Sequence, residues 1–78
     1  MSELEWLKRF GDALTDIMEY RNTCQEELAD ILGVSQATVS RYVNGLQMPS
    51  VATIITIANE LGCDIDELVN FGSKVSRY

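Results

Sequence analysis

The stretch "QATVSRYVN" carries side chains whose types and spacing suit one kind of chemistry. Drawn as a helix, it places Gln36, Ala37, Ser40, Arg41 and Asn44 within an arc of about 140°. The amides offer paired donors and acceptors, the hydroxyl offers both, and the guanidinium offers a rigid planar fork of donors. These groups recognise a partner by hydrogen bonds. Arg41 is also the only ionisable Asp, Glu, Lys or Arg between residues 31 and 59.

Catalytic chemistry has little support in this chain. There is no histidine, so the commonest general base is missing and any histidine-containing zinc site is excluded. Asp64 and Asp66 stand at the start of a predicted helix, where capping explains them. Cys24 and Cys63 are not spaced as a metal-ligand pair and suggest no disulfide, and the glycines are too scattered to form a phosphate loop. We therefore expect a protein that is not an enzyme and has no metal or cofactor.

The elements that must position the polar arc are helices. The chain has 78 residues, enough for one domain, and its glycines, Pro49 and capping residues divide it into five helical segments. The segments are residues 2–21, 22–33, 36–43, 51–62 and 64–72. No strand pair with hairpin turn residues is visible. The predicted fold is all-α, a compact five-helix domain over residues 1–71, followed by a flexible tail over 72–78.

Apolar residues at three- and four-residue steps predict the buried faces. The predicted stripes are Leu4, Leu7, Phe10, Leu14, Ile17 and Met18 in the first helix, Leu28, Ile31 and Leu32 in the second, and Val51, Ile54, Ile55, Ala58 and Leu61 in the fourth. Gly11 is expected to weaken the first helix slightly. Predicted caps are Thr23 with Glu26, Ser35, Ser50, and Asp64 with Glu67, with Gly33 closing the second helix and Gly72 the fifth.

Only Gly33, Val34 and Ser35 separate the second and third helices. So short a turn containing glycine makes the third helix cross the second sharply, which is the helix-turn-helix arrangement. Ala29 allows close approach, while Val39 and Tyr42 are expected to face the core.

From Gln25 to about Leu68 the sequence resembles the phage-repressor-like helix-turn-helix family, the XRE-type group that contains Cro and the lambda-type repressors. The matching positions are Gln25, Leu28, Ala29, Gly33, Val39, Tyr42, Asn44-Gly45, Pro49-Ser50 and Leu61-Gly62. The resemblance implies a lambda-repressor-like fold with a motif over residues 25–44. Its recognition helix, about residues 36–43, would lie in the major groove of double-stranded DNA.

The resemblance and the polar arc together give the predicted site. Gln36, Ala37, Ser40 and Arg41 are expected at base edges: glutamine suits adenine, arginine suits guanine or phosphate, and Ala37 suits a thymine methyl group. The positions matching the family's backbone contacts are Gln25, Ser35, Thr38 and Asn44. The implied function is a cytoplasmic transcriptional regulator, a repressor, that reads an operator as a homodimer.

Charge argues for weak binding by a single copy. The net charge is −6, and carboxylates flank the polar arc on both sides in sequence without entering it. DNA affinity comes largely from Lys and Arg, and the loop after Asn44-Gly45, often basic in relatives, reads Leu46-Gln47-Met48 here. Leu46 and Met48 either cover the core or contact a second protein. The alternative function is therefore a protein-interaction module of the same fold, such as an antitoxin or a repressor antagonist. No membrane association is expected.

Overall fold

The computed structural model describes residues 2–69, which form five α-helices and no strand. The helices are α1 (Glu3–Tyr20), α2 (Gln25–Leu32), α3 (Gln36–Val43), α4 (Val51–Leu61) and α5 (Ile65–Val69). The all-α, five-helix prediction is confirmed, and α3 begins and ends at the predicted residues. The predicted flexible tail over 72–78 and the predicted stop at Gly72 lie outside the described residues. No helix within 2–69 is long and apolar enough to cross a membrane.

One apolar core lies between the helices. α1 packs against α3 and α5, α2 against α3 and α4, and α4 against α5. The buried hydrophobic side chains are Phe10, Leu14, Met18, Leu28, Ala29, Val39, Tyr42, Ile54, Ile57, Ala58, Leu61 and Leu68. Each of the five helices therefore contributes at least one fully or nearly fully buried residue, as the predicted amphipathic faces require.

Four residues of the predicted stripes are exposed, so their assignment to the core was wrong. In α4 the buried face is Ile54, Ile57, Ala58 and Leu61, spaced three and four residues apart. Val51 and Ile55 lie to one side of that face and are 70% and 46% exposed. Ile57, omitted from the predicted stripe, is fully buried, because the buried face is centred near Ile54 and Leu61 and extends to Ile57 on the side away from Val51 and Ile55.

The other two errors are at the edges of the bundle. Leu4 is 76% exposed because it lies one turn before the place where the chain after α3 meets α1, beside Leu7 and Lys8. Ile31 is 45% exposed on α2, whereas its neighbour Leu32 packs against the core. Position at an edge decides burial here more than apolar character does.

The cap of α2 also differs from the prediction, by one residue. The N-cap is Cys24, not Thr23, and Glu27 takes the role expected of Glu26. The Cys24 N–H donates to Glu27 Oε1 at 3.0 Å. Thr23 is still tied to the preceding helix, because its N–H donates to the Met18 carbonyl at 2.8 Å. The helix consequently starts one residue later than the spacing suggested.

The predicted caps at Ser35, Ser50 and Gly33 are confirmed, and for Asp64 with Glu67 the bond made by Glu67 is present. Ser35 Oγ accepts from the Thr38 N–H, and Ser50 Oγ accepts from the Thr53 N–H, each at 3.2 Å. Glu67 Oε1 accepts from the Asp64 N–H at 3.3 Å. Gly33 ends α2 with a φ of 69°. These caps fix where α3, α4 and α5 begin.

Gly11 has a packing role that helix propensity did not predict. It is buried, and a Cβ at this position would lie 2.6 Å from the Val43 carbonyl oxygen and 2.9 Å from that of Tyr42. A glycine is therefore required for the backbone of α1 to approach the end of α3 so closely.

Both cysteines are free thiols. Cys24 is exposed, and Cys63 is half-buried against the core, as a small apolar side chain would be. Burial raises the pKa of the Cys63 thiol, and the nearby Glu67 carboxylate raises it further.

Candidate nucleic-acid interface

The turn between α2 and α3 holds the polar arc outward. The Val34 N–H donates to the Ala29 carbonyl at 3.0 Å, which closes the turn onto the last part of α2. Leu28 and Ala29 on α2, and Val39 and Tyr42 on α3, are buried against each other and the core. The prediction that Val39 and Tyr42 face inward is confirmed. The opposite side of α3 is consequently left at the surface.

The predicted base-edge residues share that outer side. Gln36, Ala37 and Arg41 are exposed, and Ser40 is half-buried. Among the predicted backbone contacts, Ser35 and Asn44 are exposed, while Thr38 and Gln25 are half-buried. All eight are thus accessible at least in part, and the roles assigned to them at DNA remain predictions.

Arg41 is held by two neutral side chains. Its Nη2 donates to Thr38 Oγ1 at 3.0 Å, and its Nε donates to Gln47 Oε1 at 3.0 Å. Thr38 Oγ1 also lies 3.0 Å from Ser35 Oγ. These bonds join the cap of α3, its first turn, its last turn and the following loop around one guanidinium. Neither partner neutralises the positive charge of Arg41.

The side chain of Asn44, the residue directly after α3, hydrogen-bonds back to the last turn of that helix. Its Nδ2 donates to the Ser40 carbonyl at 2.8 Å and approaches Ser40 Oγ at 3.2 Å. The Ser40 carbonyl also accepts from the Asn44 backbone N–H at 3.0 Å, so main chain and side chain of Asn44 together close the end of α3. The side chain lies at the predicted place, but its amide nitrogen is already engaged.

Gln47 is the residue that sequence reasoning missed. The sequence prediction considered only basic residues in the loop after Asn44-Gly45, and an uncharged amide six positions after Arg41 gives no periodic signal.

The two apolar residues beside Gln47 differ in burial. Met48 packs against the core, which agrees with one of the two interpretations, whereas Leu46 is 71% exposed.

Within the motif, residues 25–44, negative charge is confined to α2. Glu26, Glu27 and Asp30 are exposed on that helix, and α3 has no acidic residue. The Cys24 N–H, and secondarily its thiol, hydrogen-bond to Glu27 and hold the pKa of its carboxyl below the usual range. In the part of the chain that is described, no cluster of three or more Cys, Asp or Glu side chains is arranged to hold a metal ion.

Known proteins resemble this chain in both sequence and fold. The chain is 34% identical over 61 residues to the cryptic phage CTXphi transcriptional repressor RstR of Vibrio cholerae, covering 78% of this chain and 55% of that protein. It is 28% identical over 74 residues to the SPbeta prophage-derived uncharacterized regulator YotL of Bacillus subtilis, covering 94% and 91%. The chain thus spans about half of the first relative's length.

A solved structure supports the same assignment. The restriction-modification controller protein C.AhdI from Aeromonas hydrophila superposes with a TM-score of 0.73 at 27% identity, covering 80% of this chain and 94% of that one. Residues 17–68, which include α2, α3 and α4 in full, match the family model described as helix-turn-helix. The five helices, the glycine turn and the outward-facing side of α3 agree with this match. The chain therefore belongs to the helix-turn-helix family HTH_3, as its resemblance to the XRE-type repressors implied.

Proposed function

We propose that this chain is a sequence-specific DNA-binding transcriptional regulator, a repressor in its simplest mode, with α3 in the major groove. The observation that carries the proposal is the outer side of α3. It presents amide, hydroxyl and guanidinium groups over a buried Val39 and Tyr42, and it has no carboxylate. A duplex is itself an anion, so a carboxylate-free face is what docking against it requires. In this proposal the protein binds DNA without a catalytic step. It acts in the cytoplasm.

Each exposed group has a base-edge role by its chemistry. Gln36, in the first turn of α3, suits the N6 and N7 atoms of adenine, and Arg41 suits guanine O6 and N7. Ala37 suits a thymine methyl group, and Ser40 is able to donate or accept. Recognition helices contact bases mainly through their N-terminal residues, which agrees with Gln36 and Ala37 opening α3.

Backbone contacts would come from the edges of the motif. Gln25 opens α2, where the helix N-terminus favours a phosphate. Ser35 and Thr38 bring hydroxyls to the start of α3, and Asn44 brings an amide to its end. Such contacts fix orientation and carry no sequence information.

The regulator is proposed to act as a homodimer on two half-sites. One copy presents a single cation on the outer side of α3, which supports only weak binding, and two linked copies multiply their affinities. α4 offers a surface suited to a second copy. Val51 and Ile55 lie one turn apart and exposed, with Ala52, Thr56 and Asn59 as uncharged exposed neighbours. Two acidic chains need such an uncharged contact. Sedimentation of an Ile55→Asp variant, expected to be monomeric where the unmodified chain dimerises, tests this.

Selection from random duplexes at a stated low salt concentration tests DNA reading. The chain should enrich one sequence, and Gln36→Ala and Arg41→Ala should each cost about 1–3 kcal/mol of binding and relax preference at one position. Arg9→Ala is the matched control, because it removes the same charge from an exposed site on α1. Failure of the chain to enrich any sequence would refute the proposal.

A second candidate function is a protein-interaction module such as an antitoxin or a repressor antagonist. Leu46, 71% exposed at the end of α3, and the acidity of the chain favour it. A stoichiometric protein complex that survives Gln36→Ala with Arg41→Ala, but is lost with Leu46→Asp, would support this candidate. A complex lost with the first pair and kept with the second would refute it.

A further inference from the structure

The guanidinium of Arg41 is held along one edge only. Its Nε and Nη2 atoms donate to Gln47 Oε1 and Thr38 Oγ1, each at 3.0 Å. A guanidinium carries five N–H groups in one plane, and the two used here belong to the edge that includes Nε. The adjoining edge, formed by Nη1 and Nη2, still has two parallel N–H groups. That edge is the one available for a bidentate partner.

The orientation of Gln47 follows from this contact. Arginine has no acceptor, so the amide oxygen of Gln47 must face Nε, and its NH₂ group must point away. Because the acceptor is neutral, it fixes the guanidinium without cancelling its charge. A glutamate at the same place would fix it and cancel the charge, and a lysine would repel it.

The loop that carries Gln47 is itself fastened at both sides. The Leu46 N–H donates to the Arg41 carbonyl at 2.9 Å, and the Gly45 N–H donates to the Tyr42 carbonyl at 3.2 Å. On the other side Met48 packs against the core and Pro49 is buried. Gln47 therefore reaches Arg41 from a backbone position set by the fold.

We propose that Gln47 is a positioning residue that sets the base preference of Arg41. The inference depends on the proposed DNA-binding function. It also explains why the loop after α3 carries an uncharged amide in place of a basic residue. A long arginine side chain normally loses much rotamer freedom on binding, and holding it beforehand lowers that loss. We call the two hydrogen bonds from Arg41 to Gln47 and Thr38 the brace. The brace fixes the direction in which the guanidinium of Arg41, the single cation on the outer side of α3, meets the DNA.

The test combines duplex binding with a readout on the free protein. Gln47→Met keeps the length of the side chain and removes the acceptor. The base position that Arg41 reads is first identified as the one whose preference is lost in Arg41→Ala. Gln47→Met should then reduce discrimination at that position about 3- to 10-fold and leave the other positions unchanged. In the Arg41→Ala background it should have no further effect.

Two further variants separate positioning from direct contact. Gln47→Glu retains an acceptor, so it should keep the preference at that position while lowering affinity for every duplex. Leu46→Ala, on the exposed neighbouring residue, is the matched control and should change neither. A uniform loss of affinity in Gln47→Met that persists in the Arg41→Ala background would mean that Gln47 contacts the DNA itself, and would overturn the proposal.

NMR of the side-chain Nε–H groups tests the brace without DNA. Gln47→Met should shift and broaden the Arg41 Nε–H signal and leave that of Arg9 unchanged; an unchanged Arg41 signal would refute the brace. If the Arg41 Nε–H signal responds to Gln47→Met but the chain enriches no duplex, the proposed DNA-binding function is refuted. The proposed effect of Gln47 on base preference is then refuted with it. The two failures are thus distinguishable.

Discussion

Gly11 shows how a single residue sets the geometry of the recognition helix. A Cβ there would lie 2.6 Å from the Val43 carbonyl oxygen, closer than real Cβ atoms come to any neighbour. The carbonyl belongs to the last residue of α3, so relief of the overlap has to move backbone and not a flexible side chain. The position of α3 relative to α1 is consequently fixed by the absence of a side chain.

The Gly11→Ala variant should therefore be destabilised, against helix propensity. Propensity alone would make alanine better by about 1 kcal/mol. Overpacking against backbone should reverse this, so that the free energy of unfolding falls by about 1–3 kcal/mol overall.

Urea unfolding measures the effect of Gly11→Ala. Ala52→Gly on the exposed side of α4 is the control, compared at a protein concentration at which the chain is monomeric because Ala52 lies in the proposed dimer surface; there propensity alone should cost about 1 kcal/mol. A rise in stability in Gly11→Ala would show that α1 and α3 separate at no cost.

At the scale of helices, the start of α2 links its stability to pH. The Cys24 N–H donates to the Glu27 carboxylate at 3.0 Å and lowers the pKa of Glu27 in the folded chain. A carboxyl whose folded pKa is depressed stabilises the fold at pH values above its unfolded pKa, about 4.3 for glutamate. That stability is lost as the pH falls through the lower, folded value.

Replacing Glu27 with glutamine should flatten this part of the acid response. Between about pH 6 and about pH 3, the free energy of unfolding should fall less in Glu27→Gln than in the unmodified chain. Chemical unfolding at stepped pH measures the difference. Glu26→Gln is the matched control, because it removes the adjacent carboxylate and leaves the contact with Cys24 intact. Equal pH dependence in both variants would contradict the prediction.

The order and type of the helices could be predicted from the sequence because the signals are local. Ser35 and Ser50 begin α3 and α4 through bonds to residues three positions on, and Gly33 ends α2. Thr23 was misassigned because its N–H is already bonded to the carbonyl of Met18, five residues earlier in the last turn of α1. Spacing alone does not show which of two adjacent residues is still held by the preceding helix.

The candidate site was predictable in part for the same reason. The outer side of α3 follows from helical periodicity, and the structure places Gln36, Ala37 and Arg41 there as exposed side chains. Gln47 was not predictable, because its contact with Arg41 depends on the path of a loop. Exposure of Val51 and Ile55 was missed because periodicity identifies an apolar stripe without its centre.

At the scale of the whole molecule, positive charge is sparse among the described residues. Within residues 2–69 the cations other than Arg41 are Lys8, Arg9 and Arg21. Lys8 lies 3.8 Å from Asp12, and Arg21 Nη2 donates to the Gly62 carbonyl at 2.9 Å. Within this part of the chain few positive charges are placed to displace counterions from DNA, so we expect the proposed binding to depend on hydrogen bonds more than it does in a basic protein.

This distribution predicts a shallow salt dependence. If each subunit neutralises about two phosphates, the slope of log Kobs against log salt concentration for a dimer should be no steeper than about −4. Fluorescence anisotropy at several salt concentrations measures it. Leu46→Lys, at an exposed position in the loop after α3, should steepen the slope by about 1 per subunit. A slope near −8 for the unmodified chain would contradict this view of its charge.

The backbone contact between α1 and α3 has a consequence for how the chain opens. A Cβ on Gly45 would lie 3.0 Å from Lys8 Cα, so the chain touches α1 again two residues after α3 ends, a turn before the contact at Gly11. Because both contacts, at Gly11 and at Gly45, are made by backbone and not by flexible side chains, we expect α1 and α3 to open together. Hydrogen exchange should therefore show the buried amides of α1 and α3 opening as one cooperative unit, with a shared free energy, while the five-residue α5 opens separately and more often.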